Sequence, residues 1–134
     1  MRSHIEFQSE ALLKADAPDR DIHGKSVANL LADQLPQHGY EIIEVAPEDW
    51  GWRIQIKNKA FPLWIGCGHF EEYTYGYMCF IEPSKPYVRR LLKRVNTSEV
   101  IELLATAIER VLCASALVSN VRWWTDAEAS LGKS

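Results

Sequence analysis

Apolar and polar positions along the chain change period several times, and each change marks an element. In His4–Gln8, Ile5 and Phe7 share one side while His4, Glu6 and Gln8 share the other, predicting a short strand. Residues 9–21 carry no clear period and read as a loop around Ala17-Pro18-Asp19. Val27, Leu30, Leu31 and Leu35 then form a single stripe at helical spacing, predicting a helix over 24–36 that Pro36 weakens and Gly39 closes. Period two returns in strands predicted from Tyr40 to Ala46, around Trp52, Ile54 and Ile56, from Phe61 to Cys67, and from Tyr77 to Glu82. Pro47-Glu48-Asp49-Trp50-Gly51, Asn58-Lys59 and Phe70 to Gly76 are the turns between them. Connections this short predict an antiparallel meander through residues 40–82.

Pro83 and Pro86 end that region, and Tyr87, Val88, Leu91, Leu92 and Val95 suggest a short helix. Asn96, with Glu99 three residues on, resembles a capping box for a stronger helix over 98–113, whose stripe is Val100, Leu103, Leu104, Ala107, Ile108, Val111 and Leu112. Val118 to Thr125 reads as a last strand, and the polar tail 126–134 is expected to fray. The order β-α-β-β-β-β-α-β predicts an α+β fold. It is a two-layer sandwich in which helices cover one face of a mainly antiparallel sheet. The length, 134 residues, suits a single globular domain over 1–134.

Composition narrows the class. The chain is 47% hydrophobic and 25% charged, which excludes a disordered or fibrous polypeptide. No apolar run approaches the roughly 18 residues of a membrane span, so no membrane partner is expected. Met1 to Glu6 turns charged without an apolar stretch, which points to the cytoplasm rather than to a signal peptide. Net charge is -3, which argues against nucleic acid as a partner. One basic run interrupts this balance, Lys85, Arg89, Arg90, Lys93 and Arg94, and at helical spacing it would be a solvated face. Cys67, Cys79 and Cys113 are odd in number and lack a C-x-x-C pair, so they are expected to be reduced, with Cys113 on the apolar side of its helix.

Few residues suggest chemistry. Gly24-Lys25-Ser26 resembles the end of a phosphate-binding loop, but Asp19 stands where the first glycine should be. Cys67 and His69 share a strand face, and Cys79 falls opposite Cys67 if the reversal centres on Tyr73. The three could approach a zinc ligand set, yet the spacing matches no established pattern, so no metal and no cofactor are expected. His4, His23, His38 and His69 lie in no recognisable nucleophile context, and no catalytic residue is assigned. Five tryptophans are more unusual. Trp123 and Trp124 are adjacent on a strand and cannot enter the same core. Trp64 shares its face with Gly66 and Gly68, which would leave a shallow recess, and Trp50 sits in an acidic turn.

The segments Glu48-Asp49-Trp50-Gly51-Trp52, Phe61-Pro62-Leu63-Trp64-Ile65-Gly66-Cys67, Phe80-Ile81-Glu82-Pro83-Ser84-Lys85-Pro86 and Val121-Arg122-Trp123-Trp124 together resemble a group of small bacterial proteins of uncharacterised function. The resemblance spans nearly the whole chain. It implies a bacterial, cytosolic, single-domain protein and carries no activity, cofactor or site residue.

Three readings follow. The first is a non-enzymatic protein-binding domain of inhibitor, immunity or adaptor type, whose recognition patch is Glu48, Asp49, Trp50 and Trp64. The second is a small-ligand-binding domain or hydrolytic enzyme with an acid-and-indole pocket near Trp64. The third is a nucleic-acid or defence-complex partner acting through Arg89, Arg90, Lys93 and Arg94. The sequence also leaves room for a homo-oligomer.

Overall fold

The computed structural model describes residues 1–17 and 23–132. Its elements begin with β1 (His4–Gln8), α1 (Glu10–Asp16) and α2 (Lys25–Gln34), the last running into a 3₁₀ turn at Leu35–His38. The meander is β2 (Ile42–Glu48), β3 (Gly51–Ile56), β4 (Leu63–His69) and β5 (Gly76–Glu82). After it come β6 (Tyr87–Arg90), β7 (Lys93–Asn96), α3 (Ser98–Ala114), β8 (Ser119–Trp123) and α4 (Asp126–Gly132).

Six strands form one sheet in the order β2-β3-β4-β5-β1-β8, and every neighbouring pair is antiparallel. The fold is α+β, and the meander runs as the periodicity predicts. Ile54, Ile65, Cys67, Tyr77, Ile81 and Phe7 form one buried sheet face, and Val27, Leu31, Ile101, Leu104 and Ile108 of α2 and α3 pack into the same core. Pro47 lies inside β2 rather than in the turn, which a sheet edge tolerates because its missing N–H would face no neighbour. No helix among the described residues is long and apolar enough to cross a membrane.

Four local expectations need correction. Within the stretch expected to be a loop, Glu10–Asp16 form a helix, α1, too short to show a period: Ser9 Oγ accepts the Leu12 N–H at 3.1 Å, and Leu12 is buried, while Pro18 and Asp19 lie outside the described residues. Residues 87–95 are no helix but most of the hairpin β6–β7, turning at Leu91-Leu92. The main-chain N–H of Thr97 donates to Pro86 O at 3.0 Å and its hydroxyl to Lys85 O, which closes the segment at its base. Val88 and Val95 pair across the hairpin and pack on the core, so seven residues of separation served a hairpin as well as two helical turns. Asn96 does not cap α3 in box fashion; Thr97 is the boundary residue, and Asn96 Oδ1 accepts the Ser98 N–H at 2.9 Å. Of the tail expected to fray, Asp126–Gly132 is helical, with the Met1 ammonium 3.0 Å from Asp126 and Arg122 gripping Glu128 through two hydrogen bonds, while residues 133–134 lie outside the described residues. Those bonds hold the Glu128 carboxyl down at about 2.

Asp16 joins three elements. It is 3% exposed, and its carboxylate accepts the N–H groups of Gly24 at 3.0 Å and Ser26 at 2.8 Å and the Tyr77 hydroxyl at 2.5 Å. It therefore caps α2 from the end of α1 and ties both to β5. The same contacts remove the phosphate-loop reading, because the amides that would cradle an anion already hold one. Asp19 of that reading lies outside the described residues.

Two outcomes follow from this interior. Asp16→Ala strands three donors, two of them buried, and should cost about 3 kcal/mol or more of unfolding free energy, measured by urea titration. Burial, followed by the bond to Asp16, pushes the Tyr77 phenol up from its ordinary 10.0. Unfolded Tyr77 thus releases its proton at a pH where the folded residue keeps it. Its contribution is complete below pH 10.0 and declines as pH rises further, and Tyr77→Phe should flatten the alkaline stability loss. Cys113, expected on the apolar side of α3, is exposed, whereas Cys67 and Cys79 are buried. The hydrogen bond shared with Cys79 and burial push the Cys67 thiol up, so a thiol reagent should label Cys113 alone in the native protein and all three cysteines after unfolding.

Candidate functional site

With α1, α2 and α3 on one face, the other face of the sheet must solve its own contact with water. Strand alternation sends Trp64, Gly66 and Gly68 of β4, Met78, Phe80 and Glu82 of β5, His4 and Glu6 of β1, and Arg122 of β8 to that side. Gly66 pairs with Phe80, and a Cβ on Gly66 would collide with the Phe80 ring. The glycine is there because the phenyl ring lies flat across its backbone. The space beside Trp64 that two glycines suggested is therefore filled at Gly66 by Phe80, and at Gly68 by the approach of the Trp50 carbonyl.

The rings form a continuous tract. Trp50 folds from the β2–β3 turn onto Trp64 and Phe80, with ring centroids 6.0 and 5.2 Å away. Phe80 meets Trp64 at 5.6 Å and stacks on His4 at 5.7 Å. His4 stacks in turn on Trp124 at 5.4 Å, and Trp124 meets Phe70 at 5.8 Å. Between Trp50 and Trp64 on one side and Phe70 and Trp124 on the other lies a shallow recess of about 560 Å³, with Gly68, Met78 and Phe80 also lining it. Glu82 is the one carboxylate among the described residues of its lining, which also includes His69. Beyond Trp124, Glu6 is buried yet satisfied: Arg122 Nε donates to it at 2.8 Å and the Trp124 indole N–H at 3.3 Å.

The structure thus brings two of the four expected patch residues together and separates the others. Trp50, 46% exposed, and Trp64 share the recess. Glu48 turns to Arg53, which donates to it from Nε at 3.0 Å, and does not line the recess. Asp49 is exposed at the turn and forms no ion pair among the described residues. Phe80, Trp124, Phe70 and His4 were missed. Phe80 had a signal, since it alternates against Cys79 and Ile81 and faces a glycine. The others had none, because their meeting depends on β1 lying between β5 and β8. Trp123 and Trp124 do separate: Trp123 turns to the helical layer, its indole N–H reaching Glu109 at 3.1 Å.

The suspected zinc ligands divide in a similar way. Cys67 and Cys79 face each other in register with sulfurs 3.5 Å apart inside the core. His69 pairs instead with Tyr77, its ring edge-on to His23 at 5.5 Å. Among the described residues no three His, Cys, Asp or Glu side chains converge. The recess offers mainly aromatic and sulfur-bearing surface, with Glu82 and His69 the titratable members of its lining among the described residues, so its chemistry is chiefly that of apolar contact and orientation.

Gly66→Ala tests the packing of this face. The added methyl must displace the Phe80 ring, and the variant should lose about 1–3 kcal/mol of stability with a changed tryptophan emission spectrum. An unaltered spectrum would mean the ring does not cover Gly66.

Compared with protein-family models, with curated proteins and with solved structures, the chain matches none, so the purpose of this face rests on its own residues.

Proposed function

We propose that the protein is a non-enzymatic protein-binding domain of inhibitor, immunity or adaptor type, working in the cytoplasm, and that the aromatic recess is its recognition surface. The observation that carries this reading is the indole of Trp50, left about half exposed on a floor of other rings rather than buried among them. A shallow apolar recess suits an anchoring side chain from another protein, such as leucine or phenylalanine, better than a substrate that needs converging polar groups. Glu82 in the lining, with Asp49, Glu71 and Glu72 exposed nearby, favours a partner segment carrying lysine or arginine beside that anchor.

Trp50→Ala separates recognition from folding. Loss of its ring contacts should cost about 1 kcal/mol of stability. Affinity for the protein that the wild-type chain captures from its own cell lysate should fall by at least about 2 kcal/mol, measured by calorimetry with that purified partner. A partner held equally by both chains would refute the assignment. So would a dimer of the chain itself that Trp50→Ala dissociates, since the face would then be covered by a second copy.

A further inference from the structure

The β6–β7 hairpin carries a different surface chemistry. Leu91 and Leu92 at its tip are 101% and 99% exposed. Leu91 has φ of 58°, a left-handed conformation that Asn or Gly adopts at less steric cost than leucine. The turn is thus made by residues poorly suited to turning and well suited to apolar contact. Residues 83–98 hold Lys85, Arg89, Arg90, Lys93 and Arg94 and no carboxylate, although the chain as a whole is acidic.

Register places these cations. Arg89 faces Arg94 and Arg90 faces Lys93, so two like-charged pairs stand directly across the ribbon, one on each of its faces. None of the four forms an ion pair among the described residues. Arg94 lies over the Tyr87 ring at 3.9 Å, and Arg90 donates to the Ala60 carbonyl at 2.8 Å, which steadies the ribbon against the β3–β4 loop. Among the described residues no carboxylate offsets the repulsion within either pair.

We propose that this hairpin is a membrane-surface anchor, in which Leu91 and Leu92 enter the headgroup–acyl boundary of an anionic bilayer while Arg89, Arg90, Lys93 and Arg94 meet its phosphates. A strand advances about 3.3 Å per residue, and the cations stand one and two residues behind the leucines. The leucines therefore reach roughly 5 Å past the charges, within the 5–10 Å depth of interfacial insertion. A flat layer pierced by the tip engages cations on both ribbon faces at once. A groove on another protein would more naturally engage one face. Nucleic acid would accept the charges but leave both leucines wet, and the face of the Tyr87 ring available for stacking a base is occupied by Arg94. The expectation of no membrane partner rested on the absence of a spanning run, and a two-leucine tip needs none. This anchor is independent of the aromatic recess.

Co-sedimentation with vesicles tests the proposal, using phosphatidylcholine alone and phosphatidylcholine with about one-third phosphatidylserine. The full chain should bind the anionic vesicles and not the neutral ones, and added salt should weaken binding. Leu91→Asn/Leu92→Ser keeps a favourable turn, because Asn accepts the left-handed conformation, and should reduce partitioning at least about tenfold with an unchanged urea midpoint. Arg89→Gln/Arg94→Gln should reduce it similarly. Absence of binding to the anionic vesicles would overturn the proposal, as would a leucine variant that binds them like wild type. Tighter binding of a DNA duplex, unaffected by the leucine changes, would replace it with the nucleic-acid reading.

Discussion

Helices that cover one face of a six-stranded sheet leave the other to meet water, and the most distinctive features of this protein answer that constraint. α4 supplies no second layer, since it is a short segment tied to the sheet edge through Glu128 and Arg122. The face is instead closed by its own rings. Phe80 lies over Gly66, Trp50 folds back from its turn, and His4 fills the interval between Phe80 and Trp124. Rings in offset or tilted contact shield one another from water and add about 0.5–1.5 kcal/mol per pair beyond area burial. Such a lining is ordered enough for a folded monomer and leaves enough apolar surface for a partner to gain by covering it.

The buried polar groups follow a consistent rule. Asp16 and Glu6 are carboxylates removed from water, and each accepts hydrogen bonds from donors outside its own element. Leaving either unpaired would cost several kcal/mol, so these groups specify how α1, α2 and β5, and then β1 and β8, come together. Trp52 Nε1 and His69 Nε2 depart from the rule, being buried without a hydrogen-bond partner among the described residues.

The two surfaces differ in sign and in position. The aromatic recess lies on the open sheet face with acids around it, whereas the hairpin carries cations and leucines and rests on the β3–β4 loop. An anionic bilayer surface would attract the hairpin and repel the acids, orienting the chain with its recess free. Protein recognition and membrane attachment would then be compatible on one small domain.

Strand alternation in β1 and the meander, and the stripes of α2 and α3, were legible because period is a local property that the chain displays wherever one side is buried. The opposition of Cys67 and Cys79 was legible too, since a short reversal fixes register. α1 and α4 were not, because elements of two turns contain too few buried residues to show a period. Over the nine residues from Tyr87 to Val95, a helix and a hairpin bury the same valines, and the bonds from Thr97 to Lys85 and Pro86 decided between them. The tract that joins Trp50 to Trp124 required β1 to insert between β5 and β8, a pairing of segments far apart along the chain, as His4 with Phe80 and Ile5 with Trp123. The sequence by itself determined which residues alternate and which face each strand would bury. Only the tertiary structure decided which exposed rings would meet, because that depends on strand order, and strand order is chosen by packing between distant parts of the chain.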